Sequence, residues 1–299
     1  MSGFTDSWLA LREPADQRAR NLALVQEVRR YYEALPSLRI MDLGAGTGSN
    51  LRFMAPLLGH GQQWLLLDHD ASLLARAADR IQAWAQANAA TATPTETGCV
   101  LSAEHFSARV ECQTIDLARE MPSLPFEQTN LVTGAALLDL VSSQWLGELA
   151  GLCAQHQCAA LFSLTFDGSI RWQPRLPLDS QVNLLLNRHQ RQDKGFGMAL
   201  GSSAVTDFHR VFGGSGFRLL QRYSPWTIGA DQRELHQALL TGWTEAVSEP
   251  LIGLAASQRE QIERWSGERA GLTTDSASRL LVGHADQLAL PGYQSQVAT

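Results

Sequence analysis

The stretch IMDLGAGTGSN, residues 40–50, decides the fold predicted for this chain. Its first four residues continue an apolar run from Leu38, which is typical of a short buried β-strand. Glycines follow at 44, 46 and 48, and a helix is predicted beyond them, ending at Leu58. Glycine suits such a turn because it adopts positive φ values and lets a ligand approach the backbone closely. The stretch therefore predicts a ligand-binding loop between a strand and a helix.

This loop differs from two common nucleotide-binding loops. The dinucleotide pattern GxGxxG needs glycine at position 49, where the chain has Ser49. The P-loop needs a lysine followed by serine or threonine, and the pair is missing here. The sequence therefore counts against NAD or FAD and excludes a P-loop.

Outward from the loop, apolar strand-like segments alternate with amphipathic helical segments. Predicted strands cover residues 38–43, 63–68, 109–116, 130–134, 158–166, 217–223 and 279–284, the last with a continuation toward Leu290. Predicted helices cover residues 7–35, 49–58, 71–90, 143–154, 204–212 and 232–269, and residues 91–98 are predicted as a polar loop. Because strands that alternate with helices form parallel sheets, we predict an α/β fold. Its Rossmann-like sheet is seven-stranded and mostly parallel, with helices on both faces.

The second half of the chain interrupts this alternation with long additions. We predict one catalytic domain, residues 1–299, with an N-terminal helical segment (1–36) and a cofactor-binding core (37–166). Residues 167–203 and 225–277 are predicted to form substrate lids, because long loops in compact domains tend to be functional. Residues 204–224 and 278–290 supply the remaining core elements.

Three acidic residues support the prediction of a ligand-binding site at the glycine loop. Asp42 precedes the loop, Asp68 ends the second strand and Asp116 ends the third. Ligands bind at the carboxyl edge of an open α/β sheet, so the three side chains are predicted to share one site. There, Asp68 can accept both hydroxyls of a ribose, and Asp116 can accept from an adenine amine.

With these residues the chain resembles the class I S-adenosylmethionine (SAM)-dependent methyltransferases. The resemblance covers about residues 38–166, and its motifs are residues 40–48, 66–70, 115–117 and 131–134. It implies SAM as the cofactor and S-adenosylhomocysteine as the product. It also implies a set of cofactor-binding residues: Arg20, Asp42, Gly44, Ala45, Gly46, Thr47, Gly48, Asp68, His69, Asp116, Leu117, Gly134 and Ala135.

Within that set the resemblance assigns different parts of the cofactor to different residues. The glycine loop faces the methionine part, and Arg20 reaches its carboxylate. Asp68 binds the ribose, His69 flanks the adenine, and Asp116 with the Leu117 amide reads the adenine edge. Gly134 and Ala135 pass near the methyl sulfonium.

Each of these residues also has a structural alternative. Asp42 could cap the loop or the following helix, and Asp68 could cap the helix that begins near Ser72. Asp116 could be an ordinary turn residue. Arg20 could lie on a solvated helix face, as could the nearby Arg12 and Arg18.

The methyl acceptor is predicted to bind above the fourth and fifth strands. Asp139 could point at the substrate or cap the next helix. His189, in a polar cluster at residues 187–197, is the best candidate for a general base, needed only if the acceptor must lose a proton. The alternative for this cluster is a solvated loop.

Composition narrows the partners. The net charge of −6 and pI near 5.7 argue against a broad nucleic-acid-binding face. No apolar run is long enough to span a bilayer, and the N-terminus lacks secretion features, so a cytoplasmic location is expected. The four cysteines form no CxxC pair and none lies at metal-ligand spacing from histidine, so no metal is expected.

The function predicted from the sequence is methyl transfer from SAM, by in-line displacement, to a small-molecule acceptor. One alternative is methylation of RNA, DNA or protein, which more often shows a basic flank or an Asn/Asp-Pro-Pro-aromatic tetrad after the fourth strand. Residues 134–137 read Gly-Ala-Ala-Leu instead. A second alternative is a non-catalytic SAM-binding regulatory or scaffold protein. The oligomeric state is left open.

Overall fold

A computed structural model describes residues 4–59 and 61–292. The prediction about the N-terminus therefore lies partly outside the described residues. In chain order the first half contains α1 (Asp6–Ala19), α2 (Leu22–Tyr31), β1 (Leu38–Leu43), α3 (Ser49–Leu58), β2 (Gln62–Asp68), α4 (Ala71–Ala87), β3 (Thr91–Pro94), β4 (Gly98–Ser102), β5 (Ser107–Thr114), α5 (Leu117–Glu120), β6 (Leu131–Ala135) and α6 (Ser143–His156). The second half contains β7 (Ala159–Gln173), α7 (Asp179–Gln190), α8 (Ala204–Gly214), β8 (Arg218–Tyr223), β9 (Trp226–Ile228), α9 (Arg233–Ser248), α10 (Ala256–Leu272) and β10 (Arg279–Leu290).

All the strands belong to one sheet, in the order β3-β4-β5-β2-β1-β6-β7-β10-β8, with β9 paired to β10. The five strands from β5 to β7 are parallel, and β10 runs antiparallel to β7, β8 and β9. This confirms the predicted α/β class with a mostly parallel sheet. The sheet has ten strands, not the seven predicted, because β3, β4 and β9 join it.

The predicted loop at residues 91–98 was wrong in part. Thr91–Pro94 pairs antiparallel with Gly98–Ser102, and β4 in turn pairs with β5. Polar composition suggested a loop, but β3 is the edge strand of the sheet, and an edge strand need not bury its side chains.

The predicted single helix at residues 7–35 is two helices. The chain turns at Arg20 and Asn21, and the Asn21 side chain caps α2 by accepting from the Ala23 amide. The Asn21 backbone amide donates to Asp286 on β10 over 2.7 Å. The hydrogen bond at this break therefore ties the end of α1 to strand β10.

Strand β7 runs seven residues beyond its predicted end at Phe166 and changes faces on the way. Leu164 has φ = +57°, and here the register with β10 shifts by one residue. Before this bulge Phe162 packs with α6 and α8, whereas Ile170 and Trp172 beyond it pack with the opposite helical layer. A one-residue bulge has this effect because side chains alternate along a strand.

That opposite layer consists of α1, α7, α9 and α10, which cover the upper part of β7 and β10. The predicted lid at residues 167–203 is therefore a strand, a helix and a short docked segment. In the docked segment the amides of Leu200 and Gly201 donate to the carbonyls of Val141 and Asp139. This pairing fixes the loop that follows β6.

Candidate functional site

The candidate site lies where the strand order reverses. Strand β1 has β2 on one side and β6 on the other, and the loops after β1 and β6 leave in opposite directions. In open α/β sheets this arrangement opens a crevice at the carboxyl edge, where ligands bind. The loops at residues 44–48 and 136–142 border the crevice.

The glycine loop has the backbone geometry predicted for it. Gly44, Gly46 and Gly48 have φ of +66°, +53° and +75°. A Cβ built on Gly46 would lie 3.2 Å from the Leu9 side chain of α1, so that helix covers the loop closely. The positive φ therefore favours glycine at position 46, and a larger residue would also have to displace the Leu9 side chain by a few tenths of an ångström.

Asp68 fixes the loop from below. Its Oδ2 accepts from the Gly46 amide over 2.8 Å, and its Oδ1 accepts from the Asp70 amide over 2.9 Å. Asp70, not Asp68, caps α4, because its side chain accepts from the Ser72 and Leu73 amides. The capping alternative for Asp68 is thus not observed, and its carboxylate lies directly beneath the loop.

Asp42, Asn50 and Arg20 form a buried polar chain beside the loop. Asn50 donates to Asp42 Oδ1 over 2.7 Å, and Arg20 Nη1 donates to Asn50 Oδ1 over 3.1 Å. Asn50 also lies 3.1 Å from Thr133 Oγ1 on β6, which ties α3 to both central strands. Asp42 caps no helix, since Gly48 occupies the N-cap of α3.

Several charged atoms of this Arg20–Asn50–Asp42 series have no hydrogen-bond partner in the part of the chain that the structure describes. Arg20 is 5% exposed, yet its Nε and Nη2 have no hydrogen-bond partner among the described residues, and neither does Asp42 Oδ2. Burial raises the pKa of Asp42 to about 7 and lowers the pKa of Arg20. Buried charged groups usually have partners, so the site offers a guanidinium and a carboxyl group with atoms that are free to bind a ligand.

Asp139 lies in a second buried polar group near the crevice. It is not the cap of α6, which is Ser142, and its Oδ1 has no hydrogen-bond partner among the described residues. Burial raises the pKa of Asp139 to about 6. Arg12 contributes a nearby positive charge, while it also pairs with Asp16 at 2.9 Å and lies 4.9 Å above the Trp226 ring.

His189, the predicted general base, contacts Glu249. It lies on α7, and its Nε2 is 3.2 Å from Glu249 Oε2, before the turn that leads to α10. Burial, then the positive charge of Lys194, lower the pKa of His189. None of its recorded contacts reaches the glycine loop or Asp139, so its role as a base stays a prediction.

The predicted adenine-binding residues lie at the carboxyl ends of β2 and β5. His69 is exposed, with Nδ1 3.2 Å from Asp68 Oδ1. Asp116 caps the short helix α5 by accepting from the Ala118 amide, a role that differs from the turn residue given as its alternative, and its side chain remains 46% exposed. Leu117 is buried, and its carbonyl accepts from Trp145 Nε1.

Gly134 and Ala135 end β6 directly beside the glycine loop. A Cβ on Gly134 would lie 3.0 Å from the Leu43 carbonyl oxygen and 3.0 Å from Phe162 Cε1. Close packing of three strands therefore explains glycine at this position.

Three site residues were missed from the sequence: Asn50, Thr133 and Asp286. Asp286 is almost fully buried, and it accepts from the Leu164 amide, the Ser224 hydroxyl and the Asn21 amide. A buried acidic residue inside an apolar strand is a signal that could have been noticed. The other two become visible only when α3 is packed against β6.

Residues 4–59 and 61–292 hold no group of three or more histidine, cysteine or acidic side chains that could bind a metal ion. They also contain no helix that is both long and apolar enough to cross a membrane.

Comparisons with known proteins find similarity only among solved structures. No family model matches the chain, and no curated protein sequence matches it. A Haemonchus contortus phosphoethanolamine N-methyltransferase 2, solved with S-adenosylhomocysteine, is 14% identical over 97% of this chain, with a TM-score of 0.42. This chain spans 59% of that protein's length.

Two bacterial structures match over nearly their whole length. A SAM-dependent methyltransferase from Geobacter sulfurreducens, solved with S-adenosylhomocysteine, is 15% identical over 98% of this chain and all of its own, with a TM-score of 0.45. A cyclopropane-fatty-acyl-phospholipid synthase-like protein from Lactobacillus casei is 12% identical over 96% and 95%, with a TM-score of 0.49.

Proposed function

We propose that this chain binds SAM in the crevice between β1 and β6 and transfers its methyl group to a small-molecule acceptor. The observation that carries the proposal is the pair of unused charges on Arg20 and Asp42, held together by Asn50. A cation and an anion fixed side by side complement an α-amino acid, whose carboxylate and ammonium need opposite partners.

The glycine loop supports the same ligand. Its three positive-φ glycines leave backbone without side chains at the mouth of the crevice, where a ligand can approach closely. Asp68 lies beneath the loop with each carboxylate oxygen accepting one amide, and a carboxylate can accept further hydrogen bonds from ribose hydroxyls. The residues present thus fit both the amino-acid and the ribose parts of SAM.

When bound, SAM supplies an electrophilic methyl group on a sulfonium. The chain's own contribution is to orient the acceptor, exclude water and, for an acceptor that carries a proton, to accept that proton. Asp139 fits the last role better than His189 does. Its Oδ1, in the loop after β6, is buried without a partner among the described residues, and its pKa of about 6 leaves it mostly ionised at neutral pH.

Two features favour a compact acceptor. Helices α1, α7, α9 and α10 form a packed layer beside the crevice, which leaves less room for a large polymer. The net charge of −6 disfavours a nucleic-acid substrate. We also propose that the additions at residues 167–203 and 225–277 serve as the acceptor-binding part of one catalytic domain.

Calorimetry with SAM and S-adenosylhomocysteine tests the cofactor, with NAD as the control ligand. We expect both sulfur compounds to bind and NAD not to bind. An absence of binding at millimolar S-adenosylhomocysteine would refute the proposal. Incubation of the protein with methyl-labelled SAM and an unfractionated cell extract then tests transfer, and label found only in the RNA, DNA or protein fractions would refute the small-molecule acceptor.

A further inference from the structure

A groove of about 740 Å³ lies on the α8 side of the upper sheet, between that helix and strands β7, β8 and β10. It is lined by residues of several polar types, among them Asp167, Arg171, His209, Gln221 and Tyr223. Neither the glycine loop nor the Arg20–Asn50–Asp42 chain lines it. Its volume is within the range of small-molecule sites.

A second irregularity in β7 shapes the groove. Between the pairs Val282–Ile170 and His284–Phe166, three residues of β7 face one residue of β10, Gly283. Gly168 in this bulge has φ = +88°. A Cβ on Gly283 would lie 2.1 Å from Asp167 Oδ1, so glycine is required for that carboxylate to lie over the neighbouring strand. Bulges commonly redirect side chains in this way beside binding sites.

The bulge leaves half of the Asp167 carboxylate unused. Its Oδ1 accepts from the Ser169 amide over 2.8 Å and from the Ser169 hydroxyl over 2.7 Å. Its Oδ2 makes no hydrogen bond or ion pair with any residue that the structure describes. The carboxylate is therefore fixed in place and still able to bind a cation or a donor.

Further along the same face, Arg171 supplies a free cation. Its exposed guanidinium forms no hydrogen bond or ion pair within residues 4–59 and 61–292. One imidazole nitrogen at the groove, His209 Nε2, also lacks a partner in that part of the chain. The groove thus combines unused charges of both signs with a buried polar atom.

The spacing along β7 limits the length of a ligand. Asp167 and Arg171 form no ion pair with each other, and the strand between them spans at most about 13 Å, a length that the bulge shortens. A molecule that binds both needs an anionic group at one end and a hydrogen-bond-donating cation at the other. We propose that this groove is a binding site for an elongated small molecule with a carboxylate at one end and an amine at the other. The site does not depend on the proposed methyl transfer.

The probes are 4-aminobutyrate, 6-aminohexanoate and 8-aminooctanoate, titrated into the full chain and followed by NMR. We expect saturable binding with one preferred length, and weaker binding of hexanoate and of hexylamine. Arg171→Gln and Asp167→Asn should each weaken binding of the best probe about tenfold, the loss typical of one charged hydrogen bond. The Asp167→Asn variant keeps a side-chain oxygen that can accept from Ser169, so the bulge is preserved.

Arg175→Gln and Asp79→Asn are the matched controls, because both residues are exposed and lie outside the groove lining. They should leave probe affinity unchanged, and all four variants should bind S-adenosylhomocysteine like the parent. The groove site is refuted if no probe saturates at tens of millimolar, or if Arg171→Gln and Asp167→Asn bind the best probe as well as the parent does. Failure of the proposed function would appear instead as an absence of S-adenosylhomocysteine binding by the parent protein.

Discussion

Replacing Arg20 by methionine should weaken ligand binding strongly while changing stability little. Methionine keeps much of the side-chain volume but removes the guanidinium, whose Nε and Nη2 lack partners in the described protein. If those nitrogens bind the carboxylate of S-adenosylhomocysteine, the lost charged hydrogen bonds amount to about 1.5–3 kcal/mol, or roughly tenfold to 150-fold in Kd.

Two opposing effects set the stability of this variant. Removing unpartnered buried donors relieves a cost of about 1–3 kcal/mol. Against that gain, Asn50 Oδ1 loses its donor and the nearby Asp16, Asp286 and Asp42 lose a positive neighbour. We therefore expect the free energy of unfolding to change by less than about 1.5 kcal/mol.

Arg52 provides the contrasting control. It is equally buried, but it pairs with Glu13 at 2.6 Å and donates to the Thr47 carbonyl. Breaking a buried pair of this kind costs about 3–5 kcal/mol, so Arg52→Met should be strongly destabilised.

Calorimetry and urea unfolding of both variants make the comparison, with 5′-methylthioadenosine as a second ligand because it lacks the amino-acid part. Arg20→Met should keep its affinity for that ligand. The reasoning fails if Arg20→Met binds S-adenosylhomocysteine within twofold of the parent, or loses as much stability as Arg52→Met.

Three further predictions concern the loop and its acids. The pKa of Asp42, raised to about 7, lies above its unfolded value, so the folded state holds the extra proton and unfolding free energy should fall as pH rises from about 4 to about 7. Asp42→Asn should remove that part of the slope, at most about 1.4 kcal/mol per pH unit in urea titrations, and an unchanged slope would contradict the raised pKa. Gly46→Ala, at φ = +53°, should lower the unfolding free energy by about 1–2 kcal/mol in thermal melts, whereas Gly147→Ala in α6, with open space around it, should raise it; equal effects would show that loop strain is not the cause. Asp68→Ala should weaken S-adenosylhomocysteine binding by about 1.5–3 kcal/mol in calorimetry, whereas Asp70→Ala should mainly cost helix-capping stability, and equal affinity in the two would remove Asp68 from the site.

The central sheet and its loop were predictable because local signals agree there. An apolar strand, a glycine turn and a helix follow one another at residues 38–58. Asp42 and Asp68 lie at or next to the carboxyl ends of the first two strands. Asp139 and Arg20 were named from the sequence, but only the fold shows that both are buried with unused polar atoms.

What could not be predicted depends on distant partners. The break between helices α1 and α2 at Asn21 is fixed by Asp286, which lies 265 residues further along the sequence. The upper part of β7 was predicted as a loop from its polar and glycine-containing composition, and the bulge at Leu164, which exchanges the two faces of the strand, depends on pairing with β10. His189 drew attention through its polar neighbours, although its observed partner is Glu249, far along the chain.

The one-residue bulge at Leu164 in β7 also constrains how the protein can evolve. A deletion at Leu164 would turn Ile170 and Trp172 outward and direct Asp167 and Arg171 into the apolar layer beneath α9, since one residue of slip exchanges the two faces of a strand. The sheet below the bulge, on the side of the glycine loop, would keep its pattern. Insertions or deletions of an odd number of residues in upper β7 should therefore be poorly tolerated. Homologues should accordingly rarely differ by an odd number of residues in the length of this ribbon.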